Sequence, residues 1–179
     1  MTSSGRDPND PGNAEDERQL TAEEYTQVFR RHPGGVTVVT FAGAGRPVGF
    51  TATSVISVSA APPILAFSVA SRSSAWPELS RATTVVVNFL GSDQVELSTR
   101  FATHGIDRFA GTDHRLLPTG EPVLTGALSW VRGRIEQRLL VGDSHLVTLR
   151  AILSDSSSTG SPLIYFDRRH HRLGAPFEV

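Results

Sequence analysis

Between Gly35 and Ala70 the chain is three β-rich runs cut by two short turn signals: GVTVVTFA, then AGAGRP, VGFTATSVISVS, then AAPP, and finally ILAFSVA. Connections this short join antiparallel neighbours, because parallel strands need a long crossover between them. The stretch must therefore fold as an antiparallel meander. Its middle run alternates with the two-residue period of a strand. Phe50, Ala52, Ile56 and Val58 fall on one face and Thr51, Thr53, Ser57 and Ser59 on the other. A row of hydroxyls of this kind is either a solvated sheet face, for which Thr is a good strand former, or the lining for a flat, uncharged polar ligand.

The rest of the chain adds strands and short helices. Residues 1–18, MTSSGRDPNDPGNAEDER, hold almost nothing that could be buried and are expected to be a disordered tail, leaving one domain over 19–179. Thr21-Ala-Glu-Glu24 has capping-box spacing and Tyr25, Val28 and Phe29 form an apolar stripe, which predicts a helix over 22–31. A short helix is expected near 76–82, a strand over 83–90, and a helix over 93–104 that starts with the box spacing Asp93-x-x-Glu96 and ends at Gly105. Two long β segments, LSWVRGRIEQRLLVG and HLVTLRAILSD, meet at Gly142-Asp143-Ser144, and PLIYFDR supplies a last strand. With 179 residues, 39% of them hydrophobic, the chain can form a sizeable core, since a body of roughly 150 residues buries about 70% of its unfolded surface. Many strands with few short helices point to a mainly β barrel with helical additions.

Several function classes lose their footing. Seventeen basic residues against 18 acidic give a net charge of -1, so no electrostatic reason exists for a nucleic-acid or anionic-membrane partner. No run approaches the roughly 20 apolar residues of a membrane span, and the N-terminus lacks the regions of a secretory signal, so a soluble, cytoplasmic protein is expected. Zero cysteines exclude a thiolate nucleophile or ligand, and the six histidines show no ligand spacing, so no metal site is expected. The glycines of GAGRPVG lead through Pro47 into a strand, where a dinucleotide fingerprint would open a helix. No G-x-S-x-G elbow is present.

Two clusters carry chemistry. In SRSSAWPE, Ser71, Arg72, Ser73 and Ser74 stand before a Pro-initiated helix, and hydroxyls, a guanidinium and free helix amides together suit a phosphate; a plain N-cap is the simpler alternative. Arg100 and Phe101 sit in the last turn of the 93–104 helix, where a cation also complements the macrodipole and an aromatic ring also fills a core.

Taken in order, GVTVVT, PVGFTATSVISVSAAPP, SRSSAWPEL, VVVNFLGSDQVELSTRFA, DRFAG, GEPVLTGALSW, VGDSH and SPLIYF resemble the flavin reductase family from about Val28 to Leu173. The resemblance implies an FMN-binding split β-barrel, antiparallel and Greek-key-like, and an NAD(P)H:flavin oxidoreductase that moves hydride from nicotinamide C4 to flavin N5. It implies FMN or FAD as flavin, NADH or NADPH as co-substrate, and a homodimer with the flavin site at the subunit interface. A partner monooxygenase would receive diffusible reduced flavin. The segment matching TATSVISVSA would run along the isoalloxazine edge, which implicates Thr51, Thr53, Ser54, Val55, Ser57, Ser59 and Ala60. Ser71, Arg72, Ser73 and Ser74 would meet the phosphate, with Arg100 and Phe101 as the second flavin contact. Alternatives on the same barrel are a non-reductase carrier or sensor of flavin or haem, and an oxidase of the pyridoxamine-phosphate type.

One departure touches the nicotinamide side. Many members of the family read Gly-Asp-His where this chain reads Gly142-Asp143-Ser144-His145. A shift of one residue turns a strand side chain to the opposite face. Ser144 and His145 are thus both candidates, and His145 can take the family histidine's place only if the turn carries an extra residue.

Overall fold

The computed structural model describes residues 18–176, so the expected tail lies outside the described residues except for Arg18. Antiparallel strands make up most of the regular structure. In chain order the elements are α1 (Ala22–Phe29), β1 (Gly34–Gly35), β2 (Thr37–Ala42), β3 (Pro47–Ala52), β4 (Ile56–Ala60), β5 (Pro63–Ala70), α2 (Trp76–Leu79), β6 (Thr84–Phe89), α3 (Val95–Ala102), β7 (His114–Leu116), β8 (Pro122–Leu124), β9 (Ser129–Val141), β10 (Ser144–Asp155), β11 (Leu163–Phe166) and β12 (Arg169–Arg172).

Seven strands form the main sheet in the order β3-β2-β6-β9-β10-β5-β4. Its two end strands, β3 and β4, are consecutive in the chain and joined only by Thr53, Ser54 and Val55. A link that short forces the sheet to curl until its ends meet, which makes a barrel with a seam where β3 packs against β5. Ser54 works at that seam: its Oγ accepts from the Ser68 N–H at 3.0 Å and donates to the Ser68 carbonyl at 3.2 Å, standing in for the backbone ladder that β4 and β5 begin at Ile56 and Ala66. Phe41, Phe50, Phe67, Val85, Val87, Val147 and Leu149 fill the interior. A second cluster, with Phe101, Phe109, Leu90 and Leu163, packs beneath α3.

The seam corrects the expectation of one strand over 48–59. Phe50 and Ala52 are buried as predicted, but past the break Ile56 and Val58 are 56% and 54% exposed. The apolar stripe of α1 is also outward: the Thr21–Glu24 capping box forms, yet none of its residues is buried. α3 begins later than its Asp93 box suggested. Gln94 is the N-cap and makes no side-chain cap bond, because its Oε1 accepts from the Gly91 N–H and its Nε2 reaches the Thr125 carbonyl. The hairpins β7–β8 and β11–β12 were not foreseen, the latter turning through Asp167 and Arg168, both in the left-handed region.

Candidate functional site

A cleft of about 390 Å³ opens where β3, the end of β5 and the C-terminal end of α3 converge. Thr51 and Ser68 supply hydroxyls from the barrel wall, Arg72 and Ser73 come from the loop after β5, and His104 and Arg108 come from the chain after α3. Among the described residues no carboxylate lines it. The Thr51 hydroxyl donates to the Ser98 carbonyl at 2.7 Å, which uses its proton and leaves its oxygen as an acceptor toward the cleft.

Arg108 is the most firmly held of the cations. Its Nε donates to the Thr103 carbonyl at 2.9 Å, Nη1 to the Gly49 carbonyl at 2.9 Å and Nη2 to Ser74 Oγ at 3.5 Å. Burial lowers its pKa, and the two carbonyls offset part of the cost of keeping the charge there. In the sequence this residue stands in DRFAG with no pattern that marks a role. Its local signal is slight, since it reaches the cleft only because the chain doubles back after α3 over β3.

The remaining candidates divide. Arg72 and Ser73 line the cleft, and Ser74 meets it through Arg108. Ser71 is exposed, and its N–H donates to the Asp143 carbonyl at 2.9 Å. Two of the expected free amides are occupied: at the start of the four-residue α2 the Ala75 N–H donates to Ser73 Oγ at 3.3 Å and the Trp76 N–H to the Ser73 carbonyl at 3.0 Å, and Pro77 has no N–H to offer. Phe101 is fully buried in the second core cluster, with its ring edge at the cleft floor; a Cβ on Gly49 would come within 2.7 Å of it, which is why β3 carries glycine at that point. Arg100 does not join them. Its guanidinium donates to the Ala110 carbonyl and lines a separate groove with Asp93, Glu96 and Thr99.

The row of hydroxyls from 51 to 60 is likewise divided. Thr53, Ser54 and Val55 line a second groove of about 610 Å³ between α1 and the β11–β12 hairpin, beside Phe29, Tyr165 and Phe166. Ser57, Ser59 and Ala60 lie on the outer strand β4, and Ser57 and Ala60 are exposed there. Within one chain, only Thr51 of that row shares the cleft with Ser73.

The turn between β9 and β10 consists of Gly142 and Asp143 alone, with Gly142 at φ +62 and Ser144 paired to Val141. It carries no extra residue, and the irregularities of β10 lie further along, at Thr148/Leu149 and Ala151/Leu153. Strand alternation then decides the faces. His145, opposite Val69, shares the interior face with Val147 and Leu149, while Ser144, opposite Ala70, is on the other face; the cleft takes lining from both faces of β5, through Val69 as well as Ser68 and Ala70, and from neither Ser144 nor His145. The two-residue turn leaves Ser144 and His145 on opposite faces of β10.

A family model described as flavin reductase like domain matches residues 29–174. An NADH:FMN oxidoreductase of Rhodococcus erythropolis is 42% identical over 158 residues, covering 86% of this chain and 82% of that protein. Among solved structures, a flavin reductase domain protein from Arthrobacter sp. FB24 superposes with a TM-score of 0.83 at 34% identity, covering 89% of this chain and 100% of that one. An NADH:FAD oxidoreductase of Streptomyces globisporus C-1027, in complex with NAD and FAD fragments, gives 0.80 at 27% identity, covering 88% and 98%.

Proposed function

The chain belongs to the flavin reductase-like domain family, and on that premise we propose that it is an NAD(P)H:flavin oxidoreductase acting on FMN or FAD. The observation that carries the reading is the donor set of the cleft. Neutral hydroxyls of Thr51, Ser68 and Ser73 stand beside the guanidiniums of Arg72 and Arg108, with no carboxylate in the lining. A flavin nucleotide asks for that combination, because its ring edge is neutral and polar while its phosphate is an anion. When bound, the flavin accepts a hydride from the nicotinamide.

The protein's part is binding and orientation. Arg108, tied to Gly49 and Thr103, holds positive charge at the cleft with little freedom to follow a ligand out. Thr51, its proton donated to Ser98, accepts from a ring N–H. Ser144 follows Gly142-Asp143 directly, where the family's histidine stands, and is the residue we assign to the nicotinamide edge. Thr53, Ser54, Val55, Ser57, Ser59 and Ala60 belong to the reading only if a second copy completes the site. A homodimer fits the apolar side chains left bare on β4 and β9–β10, Ile56, Val58, Leu139, Leu140 and Val141 among them. The cleft is open enough for its product to leave, which suits delivery of reduced flavin to a monooxygenase. Among the described residues no helix is long and apolar enough to cross a membrane.

The test is NAD(P)H oxidation followed at its near-ultraviolet absorbance with and without added flavin. Turnover that saturates with flavin supports the reductase. Tight flavin or haem binding without pyridine-nucleotide oxidation identifies a carrier and removes the proposal.

A further inference from the structure

Trp76 and His145 lie face to face, with ring centroids 3.5 Å apart and planes 11° from parallel. The contact joins distant pieces of chain, since Trp76 opens α2 and His145 is the second residue of β10. Both rings are half-buried, and Trp76 packs against the barrel core. A second tie lies beside the first: the Ser71 N–H donates to the Asp143 carbonyl in the β9–β10 turn. The loop from Ser71 to Ser74 is thus pinned at its start by the hairpin turn and just past its end by the imidazole, through Trp76. Arg72 and Ser73, the two loop residues that line the cleft, lie between the pins. At the far end of α2, Arg138 Nη2 donates to the Leu79 and Ala82 carbonyls, so the helix cannot compensate by sliding.

We propose that His145 is a positioning residue: by stacking on Trp76 it fixes the loop that presents Arg72 and Ser73 to the flavin phosphate, and its ring nitrogens take no part in hydride transfer. The proposal rests on the flavin reading of the cleft. It assigns the histidine of the Gly-Asp-Ser-His turn a task different from contact with the nicotinamide, and it follows from the stack on Trp76. The imidazole is on the interior side of β10 with one face covered by indole, and it is not among the residues that line the cleft. What the loop requires from this position is a flat ring. A phenyl group meets that requirement and glutamine does not.

The experiment measures FMN and riboflavin dissociation constants by flavin fluorescence, without nicotinamide, for the wild type, His145→Phe, His145→Ala and His145→Gln, followed by kcat and KM for both substrates. An aromatic pair corresponds to roughly a 2- to 12-fold change in affinity, so His145→Ala and His145→Gln should weaken FMN by about that factor. Riboflavin, which has no phosphate, should bind as before. His145→Phe should restore most of the FMN affinity, and kcat at saturating flavin should change by less than about twofold in all variants that fold. Two results overturn the proposal: FMN affinity that ignores the ring, or a His145→Phe enzyme that loses kcat as His145→Ala does, which would mean nitrogen chemistry. A wild type that binds riboflavin as tightly as FMN removes the phosphate premise and the proposal with it. Should His145→Ala not fold, His145→Gln against His145→Phe still separates ring from nitrogen.

Discussion

The positive charge in the cleft comes from arginine, because the sequence contains no lysine. Arg108 and Arg72 differ in what they give up on binding. The Arg72 side chain is exposed, whereas Arg108 has already lost its freedom to Thr103 and Gly49. A preorganised cation gives more affinity per contact, since less rotamer entropy remains to be lost. Arg108→Gln should therefore weaken FMN far more than Arg72→Gln does. Charge-assisted hydrogen bonds contribute about 1.5–3 kcal/mol, so the expected change for Arg108→Gln is on the order of 10- to 150-fold in a fluorescence titration, with riboflavin little affected. Arg108→Lys should recover only part of it, because an ammonium cannot satisfy both carbonyls and the ligand in one plane. Equal losses for FMN and riboflavin would mean that Arg108 supports the ring or the fold instead. Thr51, Arg72 and Ser73 were legible in the sequence because each sits in a run whose local pattern already asked for a ligand. Arg108 was not. Its partners are carbonyls of residues up to 59 positions away, and no local spacing encodes a backbone oxygen.

Among the elements, the break between β3 and β4 decides the most. Two-residue alternation read the faces of β3 correctly and failed at Ile56, because the chain crosses from one end of the sheet to the other within three residues. Periodicity describes a strand and says nothing about which sheet edge it joins. The seam rests on a hydroxyl, so Ser54→Ala should be costly for so small a change: the Ser68 N–H loses its acceptor and the seam its bridge. We expect about 1–2 kcal/mol less stability in urea unfolding, and faster amide exchange at Ser68 than at neighbouring Phe67 and Val69. Unchanged exchange at Ser68 would show that the barrel closes without this contact. The β9–β10 hairpin was easily read for the opposite reason. A glycine turn between long β-rich runs fixes register locally, and that register places Ser144 and His145 on opposite faces.

For the molecule as a whole, a buried ionised carboxylate sits on the outer face of the β6–β9 pair, where the chain leading into β8 covers it. Glu121 is 1% exposed and accepts from Arg132 Nε at 2.9 Å, with Arg132 Nη2 at 2.8 Å and the hydroxyls of Thr84 and Thr119 also on it. It ties the chain before β8 to β6 and β9. Burial by itself raises such a carboxyl, but the bonds from Arg132, Thr119 and Thr84 outweigh it and hold the pKa at about 2 against an ordinary 4.5. His170, which shares a 3.0 Å hydrogen bond with Ser98 Oγ on α3, has its pKa lowered from 6.5 by burial and then by His171. Both are depressed on folding, so both contribute stability above their ordinary values that is lost as the pH falls through the folded ones. Melting temperatures should therefore decline in two stages on acidification, the first beginning below the ordinary histidine value of 6.5 and the second below the carboxyl value of 4.5. His170→Gln should remove the first stage and leave the second. Glu121→Gln should do the reverse, and it should also lower stability at neutral pH by on the order of 3 kcal/mol, because Arg132 keeps its charge in a site built for a counter-ion. A Glu121→Gln protein that melts like the wild type at neutral pH and still shows the second stage would place acid sensitivity in other carboxylates, and the ion pair would then be a bystander to the fold.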